Sequence, residues 1–122
     1  MNQLIKIMNS INDNNYKQIL SENKAVLVDF SAAWCGPCNS LAPTIEKLSD
    51  EYKDKVYICT CNIDECPEFV SVSGIRNIPT LFFYKNGEFY TRLVGLSKED
   101  VIKECIEELL KDLEKLQDTE TL

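Results

Sequence analysis

The sequence contains no histidine. That single absence excludes Cys-His nucleophilic catalysis, histidine-ligated metals and histidine pH switching together. Basic residues are outnumbered, with 13 Lys and Arg against 20 Asp and Glu, for a formal net charge of −7. No basic stripe is present to meet phosphates, so nucleic-acid binding is not expected. Glycine and proline are scarce, at four each, while apolar residues are in ordinary supply, so the chain should fold rather than stay disordered. No apolar run approaches the length of a bilayer span. Residues 1–10 lack a basic start followed by a long apolar stretch, so no secretory signal is expected either. A length of 122 residues suits one domain with an adequate core.

Cysteine, by contrast, is plentiful at six residues. Without a secretory signal they suggest a reducing compartment, the cytoplasm by default, with mostly free thiols. Two of them lie in Trp34-Cys35-Gly36-Pro37-Cys38. Two intervening residues leave the sulfurs close enough to close a small disulfide ring and open it again. Ala25 to Phe30, just upstream, is a short valine-rich apolar run that reads as an inner strand. Downstream, Leu41, Ile45, Leu48 and Tyr52 recur at helical spacing. The pair therefore sits where a strand gives way to a helix N-terminus, whose partial positive charge favours a thiolate. A structural disulfide or half of a metal site remains the alternative for a bare two-cysteine motif.

The rest of the chain alternates between the two periods. Leu4, Ile5, Ile7 and Met8 suggest a first, edge strand, and Asn12 or Asp13 a cap for a short helix over Tyr16 to Leu20. The helix after the motif runs to about Tyr52, with Pro43 inside it expected to bend it. Val56 to Asn62 reads as a second buried strand, and Asp64 to Cys66 with Pro67 as the start of a helix ending near Gly74. Thr80 to Tyr84 and Phe89 to Val94 flank Asn86-Gly87, a strong hairpin signal. Ser97 and Asp100 suggest a capping box before a helix with the apolar stripe Val101, Ile102, Cys105, Ile106, Leu109, Leu113 and Leu116. Residues 117–122 read as a frayed tail. The order predicts an α/β fold, three layers α/β/α, with a mixed central sheet of about five strands and four helices.

Residues 28 to 38, Val-Asp-Phe-Ser-Ala-Ala-Trp-Cys-Gly-Pro-Cys, resemble the active-site segment of the thioredoxin family. Gly74-Ile75-Arg76-Asn77-Ile78-Pro79-Thr80, Lys85-Asn86-Gly87-Glu88 and Val94-Gly95 resemble further family segments in the expected order. The resemblance covers roughly residues 3 to 112, so a thioredoxin domain over 1–112 is expected. Residues 113–122 then form the end of an extended helix and the tail. By resemblance the chain is a protein-disulfide reductase needing no cofactor and no metal. Cys35 attacks a client disulfide, Cys38 resolves the mixed disulfide, and a thioredoxin reductase restores the dithiol.

The resemblance also assigns Asp29 a position behind the cysteines, assisting deprotonation of Cys38. Burial among Val26, Leu27, Val28 and Phe30 should raise its pKa. Thr60 and Asn39 stand where many family members carry lysines near this carboxylate. Pro79 matches the family's cis-proline, leaving the Ile78 backbone to pair with an extended substrate. Trp34, Gly36, Pro37, Ile78 and Gly95 then form a docking patch for client proteins, with the chain acting as a monomer. Cys59, Cys61 and Cys105 fall on strand or helix positions that read as packing. Cys66, beside Pro67 at a helix start, is expected to be exposed, with a lowered pKa and a regulatory role. Cys66 and Ser31-Ala32 lean toward the eukaryotic cytosolic type of the family. Two other classes stay open: a cysteine metal-binding module using Cys35 and Cys38 with Cys59, Cys61 or Cys66, and a non-catalytic binding or chaperone subunit.

Overall fold

The computed structural model describes residues 8–120, the last five of them by backbone alone. Five strands and four helices alternate: β1 (Asn9–Ser10), α1 (Tyr16–Glu22), β2 (Ala25–Ser31), α2 (Gly36–Glu51), β3 (Tyr57–Asn62), α3 (Pro67–Ser73), β4 (Thr80–Lys85), β5 (Glu88–Val94) and α4 (Glu99–Glu120). The strands form one sheet in the order β1-β3-β2-β4-β5. β1, β3 and β2 run parallel, whereas β4 is antiparallel to β2 and to β5. The expected mixed sheet and helix count are both present.

The period-two alternation of β2 sorts its side chains onto two faces. Leu27 joins Leu41, Ile45 and Leu48 of α2 and Ile102, Ile106 and Leu109 of α4 in one core. Val26, Val28 and Phe30 join Tyr16 of α1 and Phe69 of α3 in the other. Both faces of β2 are therefore dry, which explains its continuous apolar run. α4 docks through Ile102, Ile106 and Leu109, while Val101, expected in the apolar stripe, is exposed. The tail expected to fray continues as helix to Glu120.

The hairpin forms as its Asn-Gly pair dictates. Asn86 and Gly87 have φ of 51° and 82°, the paired positive values that a two-residue turn matching strand twist requires. α2 is continuous across Pro43, whose missing N–H leaves the Asn39 carbonyl without its usual partner one turn back.

Three local expectations need correction or fall outside view. The apolar run from Leu4 lies outside the described residues except for Met8, and the described edge strand is Asn9–Ser10. The first helix starts from Asn15 without a side-chain cap. Asn12 instead closes a local turn, its Oδ1 accepting from the N–H groups of Asn14 and Asn15. Asp13 caps a different helix: its two carboxylate oxygens accept from the N–H groups of Glu68 and Phe69, at 3.0 and 2.8 Å, in the first turn of α3. A carboxylate there meets two unpaired donors and the positive end of the helix. α4 begins at Glu99, so Ser97 is not the residue adjoining its first turn.

Tyr16 reinforces the same junction, stacking on Phe69 at 4.4 Å and donating its hydroxyl to Glu68 at 2.6 Å. Asp13→Ala is expected to lower global stability by about 1–2 kcal/mol, the usual loss for a helix-capping side chain. Urea unfolding checks it, and an unchanged midpoint would show that the cap contributes nothing.

Candidate active site

The strand-to-helix junction after β2 brings the motif together. Cys35 occupies the N-cap of α2 in an extended conformation, and the Cys38 N–H points at its sulfur across 3.2 Å. Their Cα atoms are 5.2 Å apart, and the two sulfurs are joined as a disulfide. Both residues are largely covered, at 7% and 4% exposure, so access to the couple comes over the exposed Gly36 and Pro37.

Opposite the couple, the Ile78-Pro79 peptide is cis, as the motif predicts. The Ile78 carbonyl lies 4.0 Å from the Cys35 sulfur. The N–H of Gly95, at a positive φ of 87°, donates to the Pro79 carbonyl at 2.8 Å and ties the two loops together. Trp34 is 68% exposed, against a core reading, and Val94 and Leu96 are exposed as well. The Trp34 indole N–H donates to Asp64 Oδ2 at 2.8 Å. In the sequence Asp64 reads only as part of a helix start, without this contact. Its contact spans 30 residues of chain, and no local pattern marks it.

Asp29 lies behind the couple on the face of β2 that meets α2. It is 3% exposed, and its Oδ1 has no hydrogen-bond partner among the described residues. Burial raises its pKa from 3.8 to about 7, as expected from its neighbours. A cavity of about 170 Å3 is lined by Asp29, Cys38, Asn39, Glu46 and Thr60 among others, so Asp29 and Cys38 border one small space. Thr60 pairs directly with Asp29 in the β2–β3 register. Asn39 turns its side-chain amide to the Ala33 carbonyl at 3.2 Å.

Among the remaining cysteines, Cys61 and Cys66 depart from expectation, while Cys59 and Cys105 pack as expected. Cys66 is fully buried, not exposed, and is joined to Cys61 in a second disulfide. The Cys66 side chain turns inward because α3 lies against the sheet through Phe69, which carries its N-cap residue into the same core. Thus four of the six cysteines are paired, and Cys59 and Cys105 are free. Cys59 is buried, its thiol donating to the Leu27 carbonyl at 3.6 Å, and burial pushes its pKa up. Cys59 and Cys61 lie in the core, and no group of three or more metal-ligating side chains occurs among the described residues.

A family model described as thioredoxin matches residues 7–108. A thioredoxin from Chlorobaculum thiosulfatiphilum is 44% identical over 97 residues, covering 79% of this chain and 90% of the relative. An M-type chloroplast thioredoxin from Spinacia oleracea is 37% identical over 109 residues, covering 88% of this chain and 60% of that protein. A solved thioredoxin from Halobacterium salinarum superposes with a TM-score of 0.77 at 33% identity, covering 84% of this chain and 89% of that one.

The buried carboxylate gives stability a definite pH dependence. Its folded pKa lies above the unfolded value, so ionising it in the folded state costs free energy. The cost is absent below about pH 4, grows as pH rises, and levels off above about pH 7. Asp29→Asn should therefore stabilise the fold by up to about 4 kcal/mol at pH 8 and by little at pH 4. Urea unfolding at the two pH values checks this, and a pH-independent difference would contradict it.

Proposed function

The chain belongs to the thioredoxin family and is a thiol–disulfide oxidoreductase, and we propose that it works as a protein-disulfide reductase. The observation that carries this reading is the shared cavity joining Asp29 to Cys38 directly behind a helix-capping Cys35. Reduction needs an attacking thiolate, a resolving thiol and a destination for protons, and these three groups supply them.

In the proposed cycle the Cys35 thiolate, held at the N-terminus of α2, attacks one sulfur of a client disulfide. The other client sulfur leaves as a thiolate and takes a proton. Asp29 accepts the Cys38 proton through the cavity, and the Cys38 thiolate then attacks Cys35. The second client sulfur is released, and Cys35 and Cys38 close their disulfide. A thioredoxin reductase returns two electrons to the couple. Trp34, Gly36, Pro37, Ile78, Pro79 and Gly95 form the docking face, with the client laid as an extended segment beside Cys35.

The thioredoxin domain is proposed over residues 1–112, acting as a monomer in a reducing compartment such as the cytoplasm. No described helix is long and apolar enough to cross a membrane. The finer type is argued on two sides. Ser31-Ala32 and Cys66 lean toward eukaryotic cytosolic members, while the relatives named above come from a bacterium and a chloroplast.

Cys35→Ser is expected to abolish client reduction, and Cys38→Ser to accumulate mixed disulfides visible on non-reducing gels. Full turnover by either variant would overturn the reading. Resolution should fall as pH drops through about 7, because protonated Asp29 no longer accepts a proton. Asp29→Asn should slow resolution by about 10²-fold and remove that inflection, the low end of general-base effects. Rapid-quench kinetics of the mixed disulfide reads both.

A further inference from the structure

The second disulfide closes a short ring of backbone whose contents reach the active-site face. Cys61 pairs with Phe30 one residue before the end of β3, and Cys66 is the N-cap residue of α3. Their Cα atoms are 7.0 Å apart, so the bond holds the two ends of the β3–α3 loop at a fixed separation. Within that loop the Ile63 N–H donates to the Ser31 carbonyl at 2.9 Å, and the Asp64 N–H donates to Asn62 Oδ1 at 3.0 Å. Asp64 in turn accepts from the Trp34 indole, immediately before Cys35. Ile63 and Ile78 pack against both the Cys61–Cys66 core and the small cluster around Cys35 and Cys38. One continuous set of contacts thus runs from the second disulfide to the residue beside the first.

We propose that Cys61 and Cys66 form a second redox couple, whose closed state pins the β3–α3 loop and with it the Asp64 that holds Trp34 on the active-site face. The reduced state is also provided for. The Cys66 sulfur lies 3.0 Å from the Asn62 carbonyl, an acceptor for its thiol hydrogen once the bond opens. Closure consumes a low-molecular-weight disulfide. One thiolate of the pair attacks it and expels the first small thiolate. The other thiolate then attacks the mixed disulfide and expels the second. The two protons lost by Cys61 and Cys66 pass to the two departing thiolates, and two electrons pass from the protein to the small molecule. Both cysteines are fully covered, so exchange requires the loop to open and runs slower than exchange at Cys35. The proposed function enters only in taking the Trp34 face as the docking face.

Trp34 is the sole tryptophan, so the fluorescence reports the surroundings of this one indole, and Asp64→Ala isolates the contribution of the contact. The experiment uses full-length protein carrying Cys35→Ser and Cys38→Ser, which removes the first couple. Samples are equilibrated across glutathione redox buffers, alkylated and mapped by peptide mass, with emission recorded on the same samples. Cys61 and Cys66 are expected to pass together from alkylated to disulfide-linked, with a shift in Trp34 emission at the same midpoint. Adding Cys66→Ser should abolish both transitions, serine being well suited to the N-cap position; Cys61→Ala serves the same purpose if that variant does not fold. Adding Asp64→Ala should keep the thiol transition and abolish the emission shift. Cys61 and Cys66 that stay alkylatable at every poise, or pair elsewhere, would overturn the proposal. So would pairing that leaves the emission flat. Because this protein lacks Cys35 and Cys38, these results stand apart from the reductase reading, which is tested by client turnover of the unmodified chain.

Discussion

A reversible dithiol works only if backbone that need not move keeps its two sulfurs within bonding reach. Here that constraint is met by placing Cys35 at an N-cap and Cys38 one turn inside the same helix, with Cα atoms 5.2 Å apart. The helix start also leaves backbone N–H groups unpaired, and one of them, from Cys38, is directed at the Cys35 sulfur. The rest of the fold serves to hold that helix end still. β2 is buried on both faces and delivers the chain to it, α2 is anchored by Leu41, Ile45 and Leu48, and the Ile78-Pro79 loop closes over the sulfur from the far side.

Charge burial sets the second condition. Asp29 sits on the α2-facing side of β2 where its neighbours along the strand are apolar, and one of its oxygens has no partner among the described residues. Such a group is destabilising when ionised, and in the proposed cycle its position serves chemistry rather than packing. Its pKa of about 7 leaves it able to exchange a proton near neutrality, which an exposed aspartate cannot do efficiently. Stability given up at Asp29 is offset by the two cores on either side of the sheet.

The elements legible in the sequence were those whose signals are local. The valine-rich run of β2, the helical spacing after Cys38, the Asn86-Gly87 turn and the Pro67 helix start all depend on neighbours within a few residues. The couple, the buried Asp29 and the cis peptide before Pro79 were legible through motif context for the same reason. What escaped notice depends on contacts between distant segments. Asp13 looked like a cap for the helix that follows it, yet it caps α3, 55 residues away. Asp64 gains its role only when the fold brings it to Trp34. Cys66 looked exposed because helix starts usually face solvent, whereas α3 lies flat against the sheet and turns this one inward. Cys61 read as a packing residue because its partner lies on the next element, and neither strand alternation nor helix capping encodes that pairing.

Thr60 and Asn39, which border the same cavity as Asp29, tie these threads together. A nearby ammonium would favour the ionised carboxylate and pull the Asp29 pKa down, against the effect of burial. With Thr60 opposite it in the register and Asn39 bonded to the Ala33 carbonyl, burial is the cause that raises the pKa of Asp29. The charge on Asp29 then depends on the cavity of about 170 Å3, because water entering it would solvate the carboxylate and water leaving it would raise the cost of charge. Asn39 and Glu46 line that space from α2, and the same helix carries Cys38 and is capped by Cys35. Any movement of α2 against β2 therefore alters the reach between Asp29 and Cys38 and the hydration of Asp29 at once. In the proposed cycle the proton acceptor and the sulfur it serves are thus coupled by sharing one helix–strand contact.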